Sequence, residues 1–221
     1  MKNLEITEMF RNNTDDKLNI YLSTLLAKCK DIEKENNLTA LIMLILILLF
    51  YMADISQTES IQIGPVSIKD INSIKVFIPL VFAFLIFRYI LISAHKAELH
   101  KIIKVFTKNF FNFNDLRQDD PLHMDDFTRT ILPFSIYGEL GNLSYKGKSK
   151  FGCFGAILII PISGLALVPF ILEFIWIKKF IIDFSTLNFT QKISVILSIW
   201  ILAISLYYFV HNMIIAVKEN N

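Results

Sequence analysis

Glycine and proline are scarce in this chain, seven and six among 221 residues. Few positions therefore interrupt a helix. Cysteine is scarcer still. Cys29 and Cys153 fall on either side of the polar middle and share no metal-type spacing, so they read as two free thiols. Strong charge of one sign is also missing. A net charge of +2 gives no reason to expect nucleic acid as a partner. A basic start followed by an apolar core is absent too. The first 37 residues are polar and carry seven acids, so no cleavable signal peptide is expected and the first apolar block stays as an anchor. There is no internal repeat and no phosphate-loop spacing; YGELGNLSYKGKSK lacks both GxxxxGK[ST] and a preceding strand.

What the chain has is apolar residues in blocks. They make up 54% of it, with mean hydropathy +0.51. Their concentration points to a bilayer rather than a large core. Heavy use of Ile, Asn, Lys and Phe fits an AT-rich bacterial genome, and hence a bacterial inner membrane. The stretch Val76 to His95, VFIPLVFAFLIFRYILISAH, is long enough to cross, since about 20 residues at ~1.5 Å each match the ~30 Å hydrocarbon thickness.

The expected fold is an all-α membrane protein with four transmembrane helices in two hairpins. Residues 1–37 form a cytoplasmic amphipathic tail, 38–95 the first hairpin, 96–150 a cytoplasmic helical segment, 151–216 the second hairpin, and 217–221 a cytoplasmic tail. In the tail, Thr14, Asp15 and Asp16 can cap a helix. Leu18, Tyr21, Leu22, Leu25, Cys29 and Ile32 share one face; Lys28, Lys30, Asp31, Lys34 and Glu35 lie mostly on the other. This helix packs on the protein's own cytosolic portion, or lies at the membrane interface or on a partner. Its mixed charge argues against a basic membrane-surface helix.

The first hairpin has spans 38–55 and 76–95 around an external loop, 56–75. The first span is short, and Phe50 and Tyr51 suit an interfacial aromatic belt. In the loop, SIQIG and VSI alternate around Gly64-Pro65, which predicts a short β-hairpin. Asp70 can cap a helix leading through INSIK into the second span. Helical spacing continues past His95, with Leu99, Ile102, Ile103, Phe106 and Phe110 on one face. No Gly or Pro falls between Val81 and Phe111, so one helix is expected from about Val76 to Phe111. NFNDLRQDDP ends that helix, with Pro121 as a stop, and DDFTRTI starts a second helix interrupted at Pro133.

The third span, 151–177, carries Pro161, Gly164 and Pro169 and is expected to kink or break. Lys178 to Lys192 reads as a short interfacial loop, and 193–215 as the fourth span. Outside the spans, sixteen Lys and Arg fall on the side of the termini and the central segment, against five in the external loops. Both termini are therefore expected in the cytoplasm.

No catalytic constellation emerges, so no enzyme, cofactor or metal is expected. Three intramembrane polar residues stand out. Arg88 lies about 12 residues, or ~18 Å, past the outer edge of its span. It either snorkels to the cytoplasmic headgroups or makes a structural pair, or it serves conduction or ligand binding. His211 lies near the inner end of the fourth span and is the better neighbour for it. Glu173 would lie about 22 residues, or ~33 Å, from the inner edge, which reads as interfacial and solvated.

DDPLHMDD, with Asp119, Asp120, His123, Asp125 and Asp126, could hold a divalent ion, but helix capping in a solvated loop explains it. His95 and His100 are five apart and share no helical face. KGKSK beside the third span reads as an anchor to anionic headgroups. Small residues in the third span (Gly152, Gly155, Ala156, Ser163, Gly164, Ala166) and the fourth (Ser194, Ser198, Ala203, Ser205) allow close helix approach, within one copy or between copies of a homo-oligomer.

The leading functional expectation is a sensor, anchor or effector subunit that works in the bilayer with a cytosolic protein partner. A homo-oligomeric pore or transporter-like permease is the rival. An enzyme acting on lipid comes third, because no acid pair, His or nucleophile converges at one depth.

Overall fold

The computed structural model describes Glu8 and residues 12–55, 61–63, 66–68, 75–110 and 167–218. These hold four α-helices: α1 Asp15–Ile55, α2 Ile78–Phe110, α3 Val168–Ile182 and α4 Phe189–Lys218, with a 3-10 turn at Phe184–Thr186. Two three-residue strands, β1 Ile61–Ile63 and β2 Val66–Ile68, pair antiparallel with Ile61 opposite Ile68. Three helices, α1, α2 and α4, are long and apolar enough to cross a membrane. The expected central helix through DDFTRTI, the KGKSK anchor, Cys153, the DDPLHMDD acids, Pro161 and the small residues from Gly152 to Ala166 lie outside the described residues.

Helix α1 joins what the sequence divides at Asn37. Its 41 residues contain no Gly or Pro, so nothing forces a break between the tail helix and the apolar block. The Thr14 carbonyl accepts the first helical bond, from the Leu18 N–H at 3.1 Å. Asp15 and Asp16 occupy the first turn, where the helix dipole favours acids. Ser23 and Thr24 donate their hydroxyls to the Ile20 carbonyl, each at 2.8 Å, so neither competes with the helix from outside.

The exposed face of α1 changes character along its length. Lys28, Lys30, Asp31, Lys34 and Glu35 are exposed in the first half; Leu38, Leu41, Leu44, Ile45 and Leu48 are exposed in the second. The buried face stays largely apolar, with Leu18, Leu25, Cys29, Met43 and Phe50. On α2 the same switch runs the other way. Val81, Phe84 and Leu91 are exposed, then His95, Ala97 and Glu98. An exposed apolar surface that stops abruptly at charged residues is what a lipid boundary produces.

The described residues fall into two units, and the division cuts through α1, α2 and α4. One unit holds Glu8 and residues 12–36, 92–110 and 214–218. There Leu25, Cys29, Leu99 and Ile103 form the core, flanked by Tyr21, Leu26, Ile32 and Ile102. The Tyr21 and Phe106 rings lie 6.0 Å apart and Glu33 pairs with Lys96, so the two helical segments run antiparallel. The apolar faces read from the spacing are the faces that meet.

The other unit holds residues 37–55, 61–63, 66–68, 75–91 and 167–213. Its core is Met43, Phe50, Phe82, Leu85, Ile86, Trp176, Phe180 and Val195 with their neighbours. Trp176 stacks on Phe50 with centroids 4.2 Å apart and tilts against Phe82 at 4.9 Å. Phe50 also takes the Lys75 ammonium over its ring, 5.0 Å from the centroid. Phe170 meets Phe209 at 5.5 Å, and Lys192 lies over Phe184, so α3 and α4 run antiparallel.

Pro169 sits in the first turn of α3, where its missing N–H costs nothing; the rest of the expected third span, with its kink or break, lies outside the described residues. One expectation is corrected here. Lys178 to Lys192 is not one loop. Helix α3 continues through Lys178 and Lys179 to Ile182, and Lys179 lies in the last turn, where the helix dipole favours a cation. Helix α4 starts at Phe189, with the Asn188 N–H donating to Gln191 Oε1 at 3.0 Å. This is one half of a capping box, legible in N-x-x-Q. The connection shrinks to residues 183–188, where the Asp183 carbonyl accepts both the N–H and the hydroxyl of Thr186, at 3.0 and 2.7 Å.

Candidate functional site

The three polar residues singled out in the apolar helices have different surroundings. Arg88 is half-buried on α2. His211 is exposed on α4, its ring stacked on Tyr207 at 5.9 Å with an 8° interplanar angle. Phe87 meets Tyr208 edge to face at 5.7 Å. That contact sets Arg88 and His211 at neighbouring levels of the two helices, one residue beyond Phe87 and three beyond Tyr208.

Glu173 departs from expectation. It is fully buried, not solvated. A straight span from Phe151 to Ile177 would put it near an end, whereas α3 begins at Val168 and continues past Ile177, so Glu173 lies within the helix. Its buried companions on α3 are Trp176, Ile177 and Phe180. Among the described residues, neither Glu173 carboxyl oxygen nor Trp176 Nε1 has a hydrogen-bond partner. Buried polar atoms are paired in the large majority of cases, so three orphans within one turn require a reason.

The serines of α4 are also buried. Ser194 Oγ donates to the Val76 carbonyl at 3.3 Å, tying α4 to the start of α2. Ser198 and Ser205 donate back to the carbonyls of Ser194 and Ile201, each at 2.8 Å. Their small size brings the helices close while their hydroxyls are satisfied within α4.

Outside the apolar stretches, the unit built from 12–36 and 92–110 holds a polar cluster that sequence reading missed. Glu33 and Lys96 form an ion pair with side chains only 10% and 15% exposed. His100, one turn beyond Lys96, is half-buried. Its pKa is pushed down to about 4, first by burial and then by the Lys96 charge, with Glu33 opposing. Burial likewise raises the Cys29 thiol, while Lys96 lowers it and Glu33 raises it. Asn36 is buried on the same helix, and its Oδ1 accepts no hydrogen bond among the described residues. The usable signal was the i, i+4 alignment of Glu33 with Cys29, and of Lys96 with His100. Each pair places a polar residue on, or beside, an apolar face.

Among the described residues no three His, Cys, Asp or Glu side chains converge as metal ligands would. No family model, no curated protein and no solved structure matches the chain. The class therefore rests on the helices themselves: an α-helical chain, three of whose helices are long and apolar enough to span a membrane.

Proposed function

We propose that this chain is a non-enzymatic, multi-pass component of a bacterial inner membrane that carries a conformational signal to a cytosolic protein partner. Four spans are inferred, α3 and residues preceding it forming the third, with both termini in the cytoplasm. The observation that carries the reading is α2, 33 residues without interruption from Ile78 to Phe110, or about 50 Å. It begins shortly after the paired strands, which we place outside, and continues well past the apolar stretch into charged sequence. A rigid element of that length can convert a tilt at one end into a shift at the other. Crosslinking in the native membrane should recover one defined protein partner; recovery of only further copies of this chain counts against the reading.

Half-buried Arg88, within an apolar helix, favours a second reading, a homo-oligomeric pore or permease. Intramembrane arginines are costly and mark ion or ligand paths. That reading predicts ion flux in reconstituted liposomes that vanishes in Arg88→Ala.

A further inference from the structure

The signalling reading leaves one buried titratable group unused. Glu173 on α3 has no exposed surface, and neither carboxyl oxygen meets a donor among the described residues. One turn on, Trp176 Nε1 is a buried donor without an acceptor. Trp176 itself is held by aromatic packing on Phe50 and Phe82. An ionised carboxylate here would be an uncompensated buried charge, which proteins do not tolerate; a neutral carboxyl is far less costly.

The cations on the surrounding elements are otherwise engaged or placed. Lys75 lies over the Phe50 ring, Lys192 over the Phe184 ring, and His211 stacks on Tyr207. Arg88 is half-buried, and Lys178 and Lys179 are exposed. Tyr51 meets Trp176 edge to face. The two oxygens of one carboxyl are too few for a metal ion. A proton on one oxygen removes the charge, which is the larger cost of burying this group.

We propose that Glu173 is a proton-binding site of the apolar unit, holding a proton while the Phe50–Trp176–Phe82 packing is closed and releasing it when that packing opens to water. Proton binding is then linked to an open–closed equilibrium of this unit, whichever partner the chain serves.

A lipid-soluble carbodiimide tests this on the full chain in liposomes. The protonated carboxyl transfers its proton to a carbodiimide nitrogen while its oxygen adds to the central carbon. An acyl shift from oxygen to nitrogen then leaves a stable acylurea, with nothing lost. Peptide mass mapping should find one whole reagent on Glu173 at neutral pH. The label should be lost in alkaline buffer and in Glu173→Gln, and a water-soluble carbodiimide should not produce it. Glu173→Gln, which mimics the neutral acid, should melt no lower than the wild type. Absence of label at Glu173, equal labelling by the water-soluble reagent, or a large loss of Tm in Glu173→Gln each overturns the proposal, the last by showing an ionised, paired carboxylate.

Discussion

Glu33 and Lys96 form an ion pair that is nearly withdrawn from water, and it locks the register of two antiparallel helical segments. The pair sits at the edge of a small apolar core of Leu25, Cys29, Leu99 and Ile103. A pair this buried is weak evidence of net stability, yet breaking it leaves one charge buried alone. Lys96→Ala should therefore destabilise this unit by on the order of 3 kcal/mol. Replacing both residues, Glu33→Leu with Lys96→Leu, should cost much less. Chemical denaturation of the purified chain in detergent compares the variants; equal losses in the single and double variants would refute the buried-pair account.

The aromatic stack in the apolar unit gives a second prediction. Phe50 and Trp176 bury nearly their whole side chains against each other and against Phe82 and Phe180. Phe50→Ala should cost about 3–5 kcal/mol, and Phe50→Leu distinctly less because most of the volume is kept. Phe50→Leu also removes the ring beneath Lys75, which is worth roughly 1 kcal/mol or more when desolvated. Thermal melts of the three proteins in one detergent supply the comparison, and similar melting of Phe50→Ala and wild type would show that the stack bears no load.

These two sites differ in how far the sequence exposed them. The faces that meet around Leu25 and Leu99 were legible, because residues at i, i+3 and i+4 must share a side of a helix. The continuity of α2 was legible from the lack of Gly and Pro after Pro79. The same criterion, applied to residues 15–55, would have joined the tail helix to the first apolar block; the polar Glu35-Asn36-Asn37 suggested a boundary. What changes there is the character of the exposed face, from charged to apolar, and not the backbone. The C-terminal extent of α3 was not legible, because Lys178 and Lys179 read as a loop although Lys179 suits a helix's last turn. The burial of Glu173 escaped notice because hydropathy along one segment does not say which neighbours cover a residue. The Glu33–Lys96 pair was hidden, since no single-chain pattern says which charges on two distant helices will meet.

His100 should make the unit acid-sensitive. Its pKa is held at about 4 in the folded protein, against an ordinary 6.5, so the folded state prefers the neutral ring. Between those values the unfolded chain binds more protons. Stability is therefore full above about pH 6.5 and falls as the pH drops toward 4, by on the order of 3 kcal/mol at the acid end. His100→Gln should flatten that part of the profile while leaving stability near neutrality little changed. Denaturation midpoints at neutral and acid pH, for both proteins, check this; parallel profiles would assign the acid loss to other groups.

The proposed signal route depends on α2 staying stiff where it leaves the apolar region. Ala94 lies between Leu91, an exposed apolar residue, and the charged stretch that opens with His95 and Lys96. Around it the residues Ala94, Ala97, Glu98, Leu99 and Lys101 are strong helix formers. Two glycines inserted after Ala94 lower local helix propensity by about 2 kcal/mol and turn the downstream face by roughly 200°. The downstream apolar face and Lys96 would then no longer meet α1 in register. The insertion should abolish partner crosslinking from the cytosolic side while the chain still reaches the membrane. A pore or permease working only within the bilayer would keep most of its flux. Two alanines at the same place separate the causes. They keep the helix stiff but turn it equally, so loss of coupling in both variants points to register, and loss in the glycine variant alone points to stiffness. Unchanged crosslinking in both would remove α2 as the route.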